Sequence, residues 1–320
     1  MFYYTNKRRR NKKIILIAGV VAIAIALTVL IIVFSDTIAG WFSSDPETSS
    51  APTGTPAAGT ATPEPTPQKP LDEMGLTVSD RFGVPEGFKR ISVEKGSFGE
   101  FLRNYPLKPY GTVPKHYDGS DHENAPTVGV LNQILLHQNQ TSPDAIMFLY
   151  AQYLFEQGAY DRIAFNFNTT PPFSFDYATW LTGQRVDVTE YPKWYTPEGA
   201  EPAEATVETL QRYMKYTFAF ANTTSLSKQL SVHNMRNLQV GDILVFLSNQ
   251  GNHSILVLDV CRNSETGELR FICAEGRDPA TEMYLLQDAE TQSVWLTLEE
   301  DGTFVYDDKV YGTDCVRRFE

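Results

Sequence analysis

The sequence has few cysteines. Only Cys261, Cys273 and Cys315 occur among its 320 residues, an odd number without a CxxC pair. Disulfide frameworks and zinc sites normally use cysteines that are closely spaced and even in number. His116 and His122 lie among acidic residues, but their spacing fits no common metal site. We therefore expect small buried thiols in the strand-like runs, and neither a metal nor another cofactor.

Basic residues are scarce beyond the first 13 positions. Six of the 27 lysines and arginines lie in residues 1–13, which contain no acid, so the rest of the chain holds 21 basic against 39 acidic residues. A surface with this excess of negative charge repels a phosphate backbone. We therefore expect no nucleic-acid partner.

Charge is absent from residues 14–34, IILIAGVVAIAIALTVLIIVF. As a helix this run would measure roughly 32 Å, enough to cross the hydrocarbon core of a bilayer. The basic tail before it, residues 1–13, predicts a single-pass signal anchor with a cytoplasmic N-terminus. A cleaved signal peptide is the alternative, although its apolar core is normally shorter and FSDTIAGWF matches a cleavage site poorly.

Residues 35–70 lack the composition of a folded segment. Seven prolines and six threonines fall within 43–70. Such a stretch buries too little apolar surface to fold and is predicted to be an extended linker. Residues 71–320 then form one extracytoplasmic globular domain, large enough for a substantial core.

Helix signals dominate the first half of this domain. The clearest helix begins at Ser-Pro-Asp (142–144), with Ser142 as N-cap and proline at the first helical position, and ends before Gly158. Further helices are predicted over 205–220 and 224–230.

Strand signals dominate the second half. TVGVLNQILL (127–136) predicts an early strand, and from Gly241 onward short apolar runs alternate with turn residues. This pattern indicates an antiparallel sheet or half-barrel, and the whole domain is predicted to be α+β.

The order of these parts is that of papain-like cell-wall peptidases of the NlpC type. In those enzymes a nucleophile at a helix N-terminus, where the helix dipole favours a thiolate, packs against a sheet that carries a histidine and its orienting partner. The corresponding positions here are Ser142 and His253, the latter at the start of HSILVLDV.

Hairpin register predicts the partner of His253. HSILVLDV and LRFICAE flank a turn at 263–267. A hairpin centred on that turn places His253 across from the segment between Glu275 and Arg277. The Glu275 carboxylate can then accept the ring N–H and fix its tautomer, unless a bulge shifts the pairing.

Several ordered stretches resemble the bacterial family catalogued as domain of unknown function 4846. They are SFGEFLRNYPLKP (97–109), KHYDGS (115–120), DAIMFLYAQYLFEQGAYDRIAFNF (144–167), FDYATWLTGQRV (175–186), FAFANTTSLSKQL (218–230) and GDILVFLSNQGNHSILVLDV (241–260). The resemblance extends from about Arg81 to the C-terminus and implies an extracytoplasmic protein with a papain-like core. It also implies that Ser142 stands where many relatives have a cysteine, in Cys-Ala-Asp-Ala. His253 then matches the family histidine, and Glu275 stands where relatives usually have glutamine.

Each of these three residues also has a purely structural interpretation. Ser142 before a proline is a preferred N-cap, and its hydroxyl is a poorer nucleophile than a thiolate. His253 can equally be bonded within its own turn, and Glu275 can be a solvated strand end beside Arg277.

Three further residues are candidates for substrate binding. Asn166, near the end of the strand-like run 162–167, can line a pocket, Trp180 can stack a sugar, and Arg185 can bind a carboxylate. Turn formation and core packing are the alternatives.

Three functional hypotheses follow for a membrane-anchored, extracytoplasmic protein. It is a cell-envelope binding module that has lost its nucleophile and recognises a peptidoglycan peptide or glycan. Alternatively, it is a peptidase or amidase that uses Ser142, His253 and Glu275, or a structural partner of another membrane protein. The serine in place of cysteine favours the binding module.

Overall fold

The computed structural model describes residues 71–249 and 251–320. The predicted basic tail, membrane anchor and linker lie outside these residues. Within the described ranges, no helix combines the length and the hydropathy that a membrane span requires.

The helices of the described chain lie mostly before residue 230. They are α1 (Val78–Arg81), α2 (Phe98–Arg103), α3 (Ser142–Glu156), α4 (Tyr177–Leu181), α5 (Val207–Phe218) and α6 (Thr223–Gln229), with 3₁₀ turns at Tyr160–Arg162 and Met235–Asn237. The helices predicted over 205–220 and 224–230 are confirmed as α5 and α6.

The strands form one large antiparallel sheet and three hairpins. They are β1 (Phe88–Arg90), β2 (Ala164–Phe167), β3 (Phe173–Asp176), β4 (Arg185–Asp187), β5 (Lys193–Tyr195), β6 (Ser231–His233), β7 (Ile243–Phe246), β8 (His253–Asn263), β9 (Leu269–Glu275), β10 (Tyr284–Leu285), β11 (Leu296–Thr297), β12 (Phe304–Tyr306), β13 (Lys309–Tyr311) and β14 (Val316–Arg318). The sheet has the order β10-β9-β8-β7-β14-β6, with β1 paired to β8 and β11 to β9. The α+β class and the antiparallel sheet are therefore confirmed.

Helix α3 is the central helix of the described chain. Residues 142–151 are all buried, as expected for a helix that is apolar on nearly every side. The predicted N-cap is wrong by one residue, because the cap is Thr141. Its N–H and hydroxyl both donate to the Asp144 carboxylate. The C-terminal end agrees with the prediction, since Gly158 follows with a φ of 68°.

The predicted strand over 127–136 is wrong. This segment forms only isolated bridges, between Leu107 and Leu131 and between Val130 and Tyr284. Val130 and Leu131 are nevertheless buried. The apolar run therefore reflects burial against neighbouring segments and not a paired strand.

The hairpin of β8 and β9 has a register within the predicted range. Leu256 pairs with Ala274, which sets Glu275 diagonally across from His253. A bulge between Val257 and Asp259 shifts the register on the far side of the site.

The buried Asp259 at this bulge ties the N-terminal elements to the sheet. Arg90 from β1 contacts its Oδ2 at 2.5 Å, and Arg103 at the end of α2 contacts its Oδ1 at 2.7 Å. A buried carboxylate is tolerated when it is paired and hydrogen-bonded in this way.

Candidate functional site

The N-terminus of α3 meets the sheet where β8 begins and β9 ends. The Ser142 hydroxyl donates to the carbonyl oxygen of Ser254 at 2.5 Å. The Gly276 N–H donates to Ser142 Oγ over a longer 3.4 Å. Ser254 follows His253 and Gly276 follows Glu275, so the three predicted catalytic positions lie in one small region.

His253 and Glu275 are in direct contact. The separation between His253 Nε2 and Glu275 Oε2 is 2.7 Å. An ionised carboxylate only accepts hydrogen bonds, so this contact assigns the donor role to Nε2 and leaves Nδ1 as the other ring nitrogen. Nδ1 has no hydrogen-bond partner among the described residues and is not a buried atom. It is the nitrogen available to take a proton.

The second oxygen of Glu275 is held by a cluster of donors. Oε1 accepts from Arg277 Nε at 2.7 Å, from the Tyr284 hydroxyl at 3.0 Å and from the Tyr306 hydroxyl at 3.4 Å. Arg277 in turn contacts Asp307 Oδ2 at 2.8 Å. Glu275 is fully buried, so these bonds replace the water it has lost.

The pKa shifts in this cluster follow from burial and from the Glu275 charge. Burial, and then the Glu275 carboxylate, raise the pKa of Tyr284 and Tyr306 well above the ordinary value. Burial lowers the pKa of Arg277, but Glu275 and Asp307 outweigh it, and the net shift is upward. Both tyrosines therefore stay protonated and Arg277 stays charged.

The environment of Ser142 is unlike that of an activated nucleophile. Ser142 is only 2% exposed, and its hydroxyl proton points to the Ser254 carbonyl and not to an imidazole nitrogen. A serine acts as a nucleophile when an adjacent base takes its proton. In the described arrangement Ser142 binds the helix end to the sheet.

The three predicted substrate-binding residues lie elsewhere in the fold. Asn166 is on β2, where its N–H donates to Gln229 Oε1. The Arg185 guanidinium lies 4.5 Å from the ring centroid of Trp180 and donates to its carbonyl. Trp180 is 6% exposed, so its ring offers little surface to a sugar. Their roles in binding stay predictions.

Sequence reasoning missed His122 as a neighbour of this site. Its ring lies 5.5 Å from that of Tyr284 and 4.9 Å from that of His116, centroid to centroid. The described residues contain no group of three or more histidine, cysteine, aspartate or glutamate side chains that could hold a metal ion. The available signal was the stretch KHYDGSDH, but only the fold places it beside Glu275.

A cleft in the described chain lies apart from these residues. It has a volume of about 410 Å³ and is lined by α2, α3 and the C-terminal segment, with Tyr150, Arg162 and Phe319 among its residues. None of the six predicted site residues lines it.

Comparison with known proteins identifies one family. Its model, described as domain of unknown function (4846), matches residues 78–311. No curated protein and no solved structure gives a significant match.

Proposed function

The chain belongs to the family described as domain of unknown function 4846, and from this premise we propose that it is a cell-envelope binding module. It binds peptidoglycan through the surface around His253 and Glu275. Residues 14–34 anchor it in the cell membrane, with the N-terminus in the cytoplasm, and residues 35–70 carry the domain away from the bilayer.

A papain-like core is the finer fold that we propose. Its support is the contact between the α3 N-terminus and the sheet, through Ser142 and Ser254, together with the His253–Glu275 pair on adjacent strands. In such a core the helix end holds the nucleophile and the sheet holds the base and its orienting group.

The hydrogen bond of the Ser142 hydroxyl is the observation that favours a binding function over a catalytic one. Its proton is donated to the Ser254 carbonyl, and no imidazole nitrogen accepts it. A neutral hydroxyl also gains far less than a thiol from a helix N-terminus, because its proton is much harder to remove. The histidine and its orienting carboxylate are therefore present without an activated nucleophile.

Co-sedimentation tests this proposal. The full chain, purified in detergent, is mixed with isolated peptidoglycan sacculi, and both the pellet and the released soluble fragments are measured. We expect the protein in the pellet and no fragments above the level of a protein-free control. A chain that stays in the supernatant contradicts the binding function.

Hydrolysis is the second candidate, and one observation favours it. His253 Nδ1 is free of partners in the described chain, while Nε2 is fixed by Glu275, which is the arrangement of an oriented general base. Release of wall fragments that disappears in both Ser142→Ala and His253→Ala, with folding intact, would establish this alternative.

A third outcome of the sedimentation experiment would indicate a structural role in place of binding or hydrolysis. If the chain neither sediments with sacculi nor releases fragments, a protein partner becomes the better explanation. Crosslinking in isolated membranes, followed by identification of the crosslinked chain, then tests it.

A further inference from the structure

His122 extends the candidate site. It packs on the ring of Tyr284, and the Tyr284 hydroxyl donates to Glu275, the same carboxylate that holds His253. His116 packs edge to face against His122. Two imidazoles on the loop before α3 therefore lie next to the cluster that orients His253.

The backbone around His122 is fixed in place. Its N–H donates to the Pro114 carbonyl at 2.8 Å, and the His116 N–H donates to the Ser120 carbonyl at 2.8 Å. Tyr117 N–H donates to the carbonyl of Ala280 at 3.0 Å. These bonds hold the backbone of His122, and its ring packs against the rings of His116 and Tyr284. This packing reduces the entropy cost of binding a ligand.

The chemistry of His122 is that of a neutral imidazole. Burial lowers its pKa, and the charges of His116 and Arg277 lower it further, against a smaller opposite effect of Glu275. Neither ring nitrogen bonds to a described residue, and neither is a buried atom. At neutral pH the ring therefore presents one free donor and one free acceptor.

We infer that His122 is a ligand-binding residue of this site and that it receives a peptide amide. This inference rests on the proposed function, because the amide would belong to the peptide of peptidoglycan. The amide N–H donates to one ring nitrogen, and the other nitrogen donates to a carbonyl oxygen.

The charges nearby favour an uncharged ligand group. Arg277 would attract an anion, but its donors are already directed at Glu275 and Asp307. Glu275 would attract a cation, but it is fully buried and accepts from four side chains. An uncharged amide can donate one hydrogen bond to a neutral imidazole and accept one from it. Such a group fits this site without leaving a charge unpaired.

Two substitutions at His122 separate ligand binding from packing. His122→Phe keeps a ring on Tyr284 and removes both hydrogen-bonding nitrogens. His122→Gln removes the ring and keeps a donor and an acceptor. A packing role predicts that glutamine is the more harmful change, whereas ligand binding predicts that phenylalanine is. His137→Phe is the matched control, because His137 is exposed and its ring accepts a hydrogen bond from the Asn139 N–H in its own turn.

The measurement is the affinity of the full chain in detergent for intact sacculi and for glycan strands stripped of their peptides. We expect His122→Phe to bind intact sacculi about fivefold to a hundredfold more weakly, the effect of two lost hydrogen bonds. His122→Gln and His137→Phe are expected to bind within about twofold of the unmodified chain. Stripped strands should bind far more weakly than sacculi.

The possible failures are distinguishable. If the unmodified chain does not bind sacculi, the proposed function is overturned and the role of His122 with it. If it binds and His122→Phe binds equally well, only the inference about His122 is overturned. Equal binding of stripped glycan strands rules out the peptide amide as the recognised group.

Discussion

His253 and Glu275, which are 22 positions apart, meet across a hairpin through a 2.7 Å hydrogen bond. Arg277, Tyr284 and Tyr306 hold the other oxygen of the same carboxylate. His253 is therefore oriented by a carboxylate that is itself held by three other side chains.

Replacement of Glu275 by glutamine should be strongly destabilising. The change leaves the partly buried Arg277 with Asp307 as its remaining carboxylate partner, and breaking a buried ion pair costs about 3 kcal/mol or more. Urea denaturation of the full chain measures this loss of unfolding free energy. Glu268→Gln is the control, since it breaks an exposed pair with Arg270 and should cost less than about 1 kcal/mol. Equal losses for the two variants would contradict this account.

Replacement of Tyr284 by phenylalanine should have a smaller effect. It removes the hydroxyl that donates to Glu275 and keeps the ring under His122. We expect a loss of about 1 kcal/mol of unfolding free energy, the net value of one hydrogen bond. A loss as large as that of Glu275→Gln would mean that the ring contacts and not the hydroxyl had been disturbed.

Asp144 should make stability fall as the pH rises. Burial raises its pKa from 3.8 to about 7, against the opposing hydrogen bonds from Thr141. The folded state therefore binds more protons than the unfolded state between these values. Its contribution to stability is complete below pH 3.8 and is lost as the pH approaches about 7, at up to about 1.4 kcal/mol per pH unit.

Unfolding free energies measured across this pH range test the role of Asp144. Asp144→Asn should remove this slope, since asparagine does not titrate. Asp301→Asn should leave it unchanged, because Asp301 is exposed and its pKa is lowered by hydrogen bonds from Thr303. A slope that persists in Asp144→Asn would assign it to another group.

Arg185→Ala tests whether the pair with Trp180 serves structure or binding. The guanidinium stacks on the indole and donates to two backbone carbonyls. We expect a loss of about 1 kcal/mol in stability and unchanged sedimentation with sacculi. Loss of sedimentation with stability retained would instead support the role in carboxylate binding predicted from the sequence.

The predictions that succeeded rest on local chemistry or on short-range register. The helix from Ser142 to Glu156 follows from its capping sequence and from Gly158, although the cap itself is Thr141. The contact of His253 with Glu275 follows from one hairpin, whose turn fixes which residues face each other. Both depend on residues close in sequence.

The predictions that failed or were missed depend on distant packing. The apolar run at 127–136 has a strand-like composition, but it finds only isolated bridging partners. The ring contact between His122 and Tyr284 joins two residues that are 162 positions apart in the chain. No periodicity in either segment indicates that contact.

The sequence by itself determined the α+β class, the central helix and the hairpin, because capping, alternation and turn chemistry act over a few residues. It also singled out Ser142, His253 and Glu275 as candidate positions. Only the tertiary structure decided which contacts the side chains at those positions make. It directs the Ser142 hydroxyl to the Ser254 carbonyl, buries Glu275 among four donors and brings His122 to their edge. These relationships depend on how the α3 N-terminus, the sheet and the loop at 115–122 pack together, and packing is a property of the whole folded domain.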